Sequence, residues 1–132
     1  MTPPGREEGL MDTPLLRMVG AATAVYGVAV MVRPHWLARP SGLAEDDGSV
    51  SPNTAASLRP VGMRDAASGL ALALAPEGPA LTAAAAIRLA ADFGDAAVLG
   101  VTLPRRRRVP AVAVSLGWGA VTVAGLLRRR LR

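Results

Sequence analysis

The feature that most constrains the fold of this chain is a run of nineteen uncharged residues, 109–127, close to its C-terminus. A helix needs about 20 apolar residues to cross the hydrocarbon core of a bilayer, which is roughly 30 Å thick. A second uncharged run, 18–32, reaches that length with residues 15–17, because the stem of Arg17 lies along apolar surface while its charge reaches the headgroups. The sequence therefore predicts that both runs form membrane-spanning helices.

Two further helices are predicted between these runs, at about 56–75 and 80–101. The four residues Pro76–Pro79 between them form a turn that is too short to do anything except fold the helices back as an antiparallel hairpin. Together with helices at about 15–33 and 109–127, they predict an all-α protein. Its architecture is expected to be a four-transmembrane-helix bundle with antiparallel up-down topology.

The remaining segments are polar or rich in proline. Residues 1–14 are predicted to be a flexible N-terminal tail, and residues 15–132 a single four-helix membrane domain. The segment Pro104–Pro110 is interpreted as a tight connection between the last two helices. The polar loop 37–55 is long for a compact bundle, so it is either a functional lid or a plain connector.

Composition supports helices that pack closely. Hydrophobic residues make up 51% of the chain but aromatic residues only 3%, so alanine and glycine supply much of the packing surface. Ala111, Ser115 and Gly119 follow a spacing of four residues and predict a smooth packing ridge. The chain has no cysteine, which leaves no disulfide, thiolate zinc site or thiol nucleophile. With His35 as its one histidine, we expect neither a metal site nor a cofactor.

The positive charge is concentrated beside the last apolar run. The net charge is +5, and all fifteen basic residues are arginine. Eight of them lie in the segments 105–108 and 128–132, and neither segment contains an aromatic residue for stacking on bases. This pattern favours the flanks of a membrane span over a nucleic-acid site. The arginines divide almost evenly between the two predicted sides, so they do not orient the protein.

Charged residues also lie inside the apolar helices, in the segment IRLAADFGD, 87–95. Arg88, Asp92 and Asp95 share one helix face through their spacing. The hairpin turn should place residues of the second and third helices at equal depth. The expected pairs are Arg64 with Asp92, Asp65 with Arg88, and Arg59 with Asp95. A charge at mid-bilayer costs about 2.5 to 3.5 kcal/mol, so these groups should pair and face inward.

Two interpretations of these charges remain open. One is an ion-pair network that only fixes the pairing of the second and third helices. The other is a polar cavity, because ionisable residues within a membrane usually mark a functional path. In that case the candidate catalytic residues are Asp65, Asp92 and Asp95. The candidate substrate-binding residues are Arg64, Arg88, Ser68 and Trp118.

The run from 60 to 100 resembles a family of small four-helix membrane proteins of unknown function that is related to the DoxX-like group. The matching residues are a G-x-R-D motif followed by G-L, a D-A pair and a proline after the first helix: Gly62, Arg64, Asp65, Gly69, Leu70, Asp95, Ala96 and Pro34. The resemblance implies a four-helix membrane bundle whose signature pair is Arg64 and Asp65. It implies little about the chemistry.

Three functions are consistent with this sequence. The first is binding of a hydrophobic small molecule or lipid-like intermediate in the cell membrane, with acid/base isomerisation or cyclisation as the reaction of a cofactor-free enzyme. The second is a non-catalytic subunit of a larger membrane complex or homo-oligomer. The third is a small proton-coupled exporter. A soluble alanine-rich helical bundle is the alternative to a multi-pass protein surrounded by membrane lipid.

Overall fold

The computed structural model describes residues 13–103 and 105–127, and this part of the chain is helical without β-strands. Its five helices are α1 (Thr13–Val32), α2 (His35–Ala38), α3 (Pro52–Leu74), α4 (Pro79–Thr102) and α5 (Arg105–Leu127). The all-α prediction is therefore confirmed. Most of the predicted N-terminal tail lies outside the described residues, and Thr13 and Pro14 belong to α1.

Helices α3 and α5 both begin well before the predicted starts at about 56 and 109. Helix α3 begins at Pro52 because the Ser51 hydroxyl caps it by accepting from the Thr54 amide at 3.2 Å. The tight connection predicted over residues 104–110 is wrong, since Arg105 is the first residue of α5 and the helix continues through Pro110. A proline removes a single backbone hydrogen bond, and the apolar packing of the remaining turns holds the helix across it.

The short helix α2 was not predicted. The Tyr26 hydroxyl on α1 donates to the Trp36 carbonyl at 3.0 Å and ties α2 to the end of α1. Close to this contact, Val30, Ala38 and Leu58 form a buried cluster that joins α1, α2 and α3. Leu43 and Val50 of the loop between α2 and α3 pack against this cluster. The sequence did not predict α2, because a single turn of helix is too short to show a hydrophobic period.

Helices α1 and α3 approach so closely that only glycine fits between them. A Cβ added to Gly20 would lie 2.6 Å from the Gly69 carbonyl oxygen, and one added to Gly62 would lie 2.7 Å from the Gly27 carbonyl oxygen. The contacts run in opposite directions along the two helices, which makes α1 and α3 antiparallel neighbours. Backbone contact of this kind maximises dispersion between helices that carry few large side chains.

Arg17 also joins these two helices, but by a contact that the sequence did not predict. Its guanidinium donates to the carbonyl oxygens of Ala73 at 2.5 Å and Ala75 at 2.9 Å. Both carbonyls belong to the end of α3, where the last backbone acceptors of a helix lack partners. Arg17 therefore satisfies the C-terminus of α3 from α1.

Helix α5 packs mainly on α4. The predicted ridge of Ala111, Ser115 and Gly119 is buried, and a Cβ added to Gly119 would lie 3.1 Å from the Phe93 ring of α4. The ridge is thus confirmed as a packing surface. Because α3 and α4 contact each other much less than α1 contacts α3 or α4 contacts α5, space remains between the two helix pairs.

Two of these helices, Thr13–Val32 and the segment Arg108–Leu127, are long and apolar enough to cross a membrane. Only 33% and 22% of their most apolar windows are buried, so neither is the enclosed core helix of the described structure. Large apolar side chains point outward instead, with Val25 72% exposed and Val109 72% exposed. An outer surface of this kind is typical of helices that face lipid.

Candidate functional site

A cavity of about 230 Å³ lies between the two helix pairs. This volume is slightly below the roughly 300–1,000 Å³ that is common for small-molecule pockets, and it far exceeds an ordinary packing void. Half of its lining residues are leucine or valine, from α3, α4, α5 and the segment after α1. The polar and aromatic lining residues are Tyr26, Ser41, Asp65, Asp92, Asp95, Ser115 and Trp118.

The segment between α1 and α3 covers one end of the cavity. Leu37, Ser41 and Leu43 all line it, and Leu58 and Val61 from the start of α3 continue the same wall. The aspartates lie further along α3 and α4, toward the middle of these helices. The cavity therefore has an apolar upper part beneath a loop and an acidic floor. Both interpretations of the long loop, a functional lid and a plain connector, stay predictions.

Arg64 and Asp95 form the first of two arginine–aspartate pairs at the floor. The Nη1 and Nη2 atoms of Arg64 donate to Oδ1 and Oδ2 of Asp95 at 2.8 and 2.6 Å. This two-point geometry is the strong form of a charge-assisted hydrogen bond. It joins α3 to α4 across the space between the helix pairs.

Arg88 is the centre of the second pair and is almost completely buried. Its side chain is 3% exposed, and its Nε and Nη2 atoms donate to the two oxygens of Asp92, one turn along the same helix. Its Nη1 atom reaches α3, where it donates to Asp65 Oδ1 at 2.9 Å and to the Ser68 hydroxyl at 2.8 Å. All three guanidinium nitrogens of Arg88 therefore have partners.

Asp65 differs from the other two aspartates in how its oxygens are used. Its Oδ1 accepts from both Arg88 and Arg64, the latter at 3.0 Å. Among the described residues, none donates to its Oδ2, whereas both oxygens of Asp92 and of Asp95 are occupied by arginine. Asp65 is therefore the aspartate with an oxygen that is free to meet a ligand in the cavity.

The structure corrects part of the predicted charge pairing. Arg88 does meet Asp65, as the hairpin register predicted. Arg64, however, pairs with Asp95 and not with Asp92, because Asp92 is already held by Arg88 within α4. Arg59, which was expected to pair with Asp95, is exposed and makes no ion pair with a described residue. The hairpin register predicts how far along its helix each residue lies. It does not predict the rotation of each helix about its own axis, which determines which of two neighbouring aspartates an arginine reaches.

The predicted site residues divide into two groups. Asp65, Asp92, Asp95 and Trp118 line the cavity. Arg64, Arg88 and Ser68 are not among the lining residues; the two arginines donate to the aspartates, and the Ser68 hydroxyl accepts from Arg88. The predicted substrate-binding role therefore has no direct geometric support for these three, because their polar groups contact carboxylates or one another.

Sequence reasoning missed Tyr26, Ser41 and the position of Ser115 in the cavity wall. The rings of Tyr26 and Trp118 lie 6.2 Å apart between centroids, so α1 and α5 bring two aromatic residues to the same wall. A tyrosine inside an otherwise apolar run was a signal for Tyr26, since a buried hydroxyl needs a partner. Ser41 gave no signal, because it lies in a polar loop.

Within residues 13–103 and 105–127, no group of three or more His, Cys, Asp or Glu side chains is arranged to hold a metal ion. Comparisons with protein-family models, with curated proteins and with solved structures found no match to this chain. The resemblance to the DoxX-related family therefore stays a prediction.

Proposed function

We propose that this chain is a multi-pass protein of the cell membrane in which the four long helices α1, α3, α4 and α5 cross the bilayer with antiparallel up-down topology. The distribution of side chains over α3 and α4 supports this proposal. Met63 and Leu74 of α3 and Ile87 and Val101 of α4 are all more than half exposed, while Arg88 is buried. A bilayer requires this arrangement, in which apolar side chains face the hydrocarbon and charged side chains face the interior of the protein.

We further propose that the protein binds a hydrophobic small molecule or lipid-like intermediate in the cavity. The observation that carries this proposal is that three aspartates and two aromatic rings face one mostly apolar cavity between the helix pairs. Apolar walls with a few convergent polar groups are the usual composition of a small-molecule site. An ion-pair network that served only to join α3 and α4 would not need a cavity beside it.

The reaction that suits this site best is a cofactor-free acid/base isomerisation or cyclisation. Asp65 is the candidate acid or base, since its Oδ2 is free to exchange a proton with a bound molecule. Arg64 and Arg88 fix its position through Oδ1 and act as positioning residues. Asp92 and Asp95 help to hold these arginines, which makes their own role primarily structural.

Native mass spectrometry of the detergent-solubilised protein tests the proposal. We expect a non-covalently bound hydrophobic molecule on the wild-type protein, and reduced occupancy in Asp65→Asn with a melting temperature close to wild type. The control is Glu77→Gln, which removes an exposed carboxylate in the turn between α3 and α4. If nothing is bound and Asp65→Asn melts far below wild type, the charges form a structural network and the role is that of a non-catalytic subunit.

A further inference from the structure

The charges around the cavity do not balance. Three carboxylates, those of Asp65, Asp92 and Asp95, share the guanidinium groups of Arg64 and Arg88. The lining residues include no other charged side chain. With all groups ionised, the cluster carries one excess negative charge. A cavity with largely apolar walls and a net negative charge attracts cations, so the site favours an added positive charge.

The position of the unshared oxygen shows where that charge would lie. Asp65 lines the cavity, and its Oδ2 receives no hydrogen bond from any residue of the described segments. Asp92 and Asp95 offer no comparable atom, because arginine donors occupy both of their oxygens. A donor group in the cavity would therefore meet Asp65 first.

A serine hydroxyl also belongs to the cavity wall. Ser41 is only 2% exposed and lines the cavity. A hydroxyl can both donate and accept a hydrogen bond, so Ser41 offers a polar contact to a molecule that fills the cavity.

The aromatic residues of the wall suit the same kind of ligand. The rings of Tyr26 and Trp118 line the cavity together, and the electron-rich face of an aromatic ring attracts a cation within about 6 Å. The remaining walls are largely leucine and valine, which exclude a strongly hydrated ion such as a free metal. An organic cation with an apolar body suits both the aromatic rings and the leucine and valine walls.

We propose that the cavity takes an apolar molecule bearing one cationic amine, with Asp65 Oδ2 as its counter-ion and the Tyr26 and Trp118 rings beside it. This inference rests on the proposed small-molecule function and adds the charge class of the ligand. The amine would neutralise the excess charge of the cluster, and the Ser41 hydroxyl would hydrogen-bond a second polar atom where the ligand has one.

The test compares two probes of the same shape, 1-aminoadamantane and 1-adamantanol, of which only the amine is charged. The protein is placed in nanodiscs of phosphatidylcholine, whose zwitterionic surface does not concentrate cations. Binding is followed by the fluorescence of Trp118 in a Trp36→Phe background, since Trp36 is 54% exposed and lies outside the cavity. The Tyr26 hydrogen bond to residue 36 is kept, because it goes to the backbone carbonyl.

We expect saturable binding of the amine at least tenfold tighter than that of the alcohol. Asp65→Asn should abolish this preference, and Glu77→Gln should retain it. Equal or tighter binding of the alcohol to the wild-type cavity would overturn the charge inference while leaving the small-molecule function intact. Binding of neither probe would contradict both proposals. The wild-type comparison is decisive even if Asp65→Asn fails to fold.

Discussion

Arg88 Nη1 donates to Asp65 Oδ1 at 2.9 Å and joins α4 to α3 at the floor of the cavity. These two helices otherwise contact each other sparsely, so this hydrogen bond and the Arg64–Asp95 pair bridge the space beside which the cavity forms. The same guanidinium holds both oxygens of Asp92. Arg88 is therefore the residue on which the arrangement of the acidic floor depends most.

Replacing Arg88 with leucine should destabilise the protein by about 3–5 kcal/mol, because Asp92 would be left as a buried carboxylate without a partner. Unfolding in mixed micelles of mild detergent and dodecyl sulfate measures the change. The matched control is Arg59→Leu, which removes an exposed arginine of α3 and should have little effect. In the double variant Arg88→Leu with Asp92→Leu, part of the lost stability should return. Equal stability of Arg88→Leu and Arg59→Leu would contradict this role.

Replacing Gly69 with alanine should force α1 and α3 apart. The added methyl group would lie 2.5 Å from the Ala24 nitrogen and 2.6 Å from the Gly20 carbonyl oxygen, both of which are backbone atoms that cannot rotate away. We expect a loss of about 1–3 kcal/mol, as for other overpacked interfaces. Gly94→Ala in α4 is the control, since a methyl group added there would have no neighbouring atom within 4 Å. A melting temperature of Gly69→Ala equal to that of Gly94→Ala would contradict the close approach.

The proposed topology predicts which loops share a side of the membrane. Because the chain has no cysteine of its own, single cysteines can be introduced without a background. In sealed vesicles, a membrane-impermeant maleimide should label either Glu45→Cys and Arg105→Cys together, or Glu77→Cys alone. The cysteines that are not labelled should react only after the vesicles are opened. Glu45, Glu77 and Arg105 are all exposed, and Glu45 lies in the loop after α2. Labelling of Glu45→Cys and Glu77→Cys from the same side would exclude the four-span arrangement.

Filling the cavity should remove a bound molecule without unfolding the protein. Ser115 is buried in the wall, and its hydroxyl donates only to the Ala111 carbonyl of its own helix at 3.3 Å. Ser115→Leu should therefore lower ligand occupancy at least tenfold, measured by native mass spectrometry on protein whose helical fold is verified by circular dichroism. The control is Leu116→Phe, which enlarges an outward-facing neighbour that is 43% exposed. Undiminished occupancy in Ser115→Leu would place the ligand elsewhere.

Part of the candidate site followed from the sequence, because adjacency and helical spacing are local properties. The pair Arg64 and Asp65 and the shared face of Arg88, Asp92 and Asp95 needed only the helical repeat. The glycines that join α1 and α3 also left a signal, a spacing of seven residues in each helix, but it became meaningful only once the two helices were known to be neighbours.

The long helices could be predicted from the sequence, because the features that define them are local. These features are the length of each apolar run, the turn at Pro76–Pro79 and the positions of the charged residues within the runs. The tertiary structure alone decided that Arg64 takes Asp95, that one oxygen of Asp65 stays unshared, and that Ser41 meets the cavity. The physical reason is that partner choice among long side chains depends on the rotation and separation of helices. These are set by contacts between distant segments, above all the glycine contacts of α1 with α3 and the packing of α5 on α4.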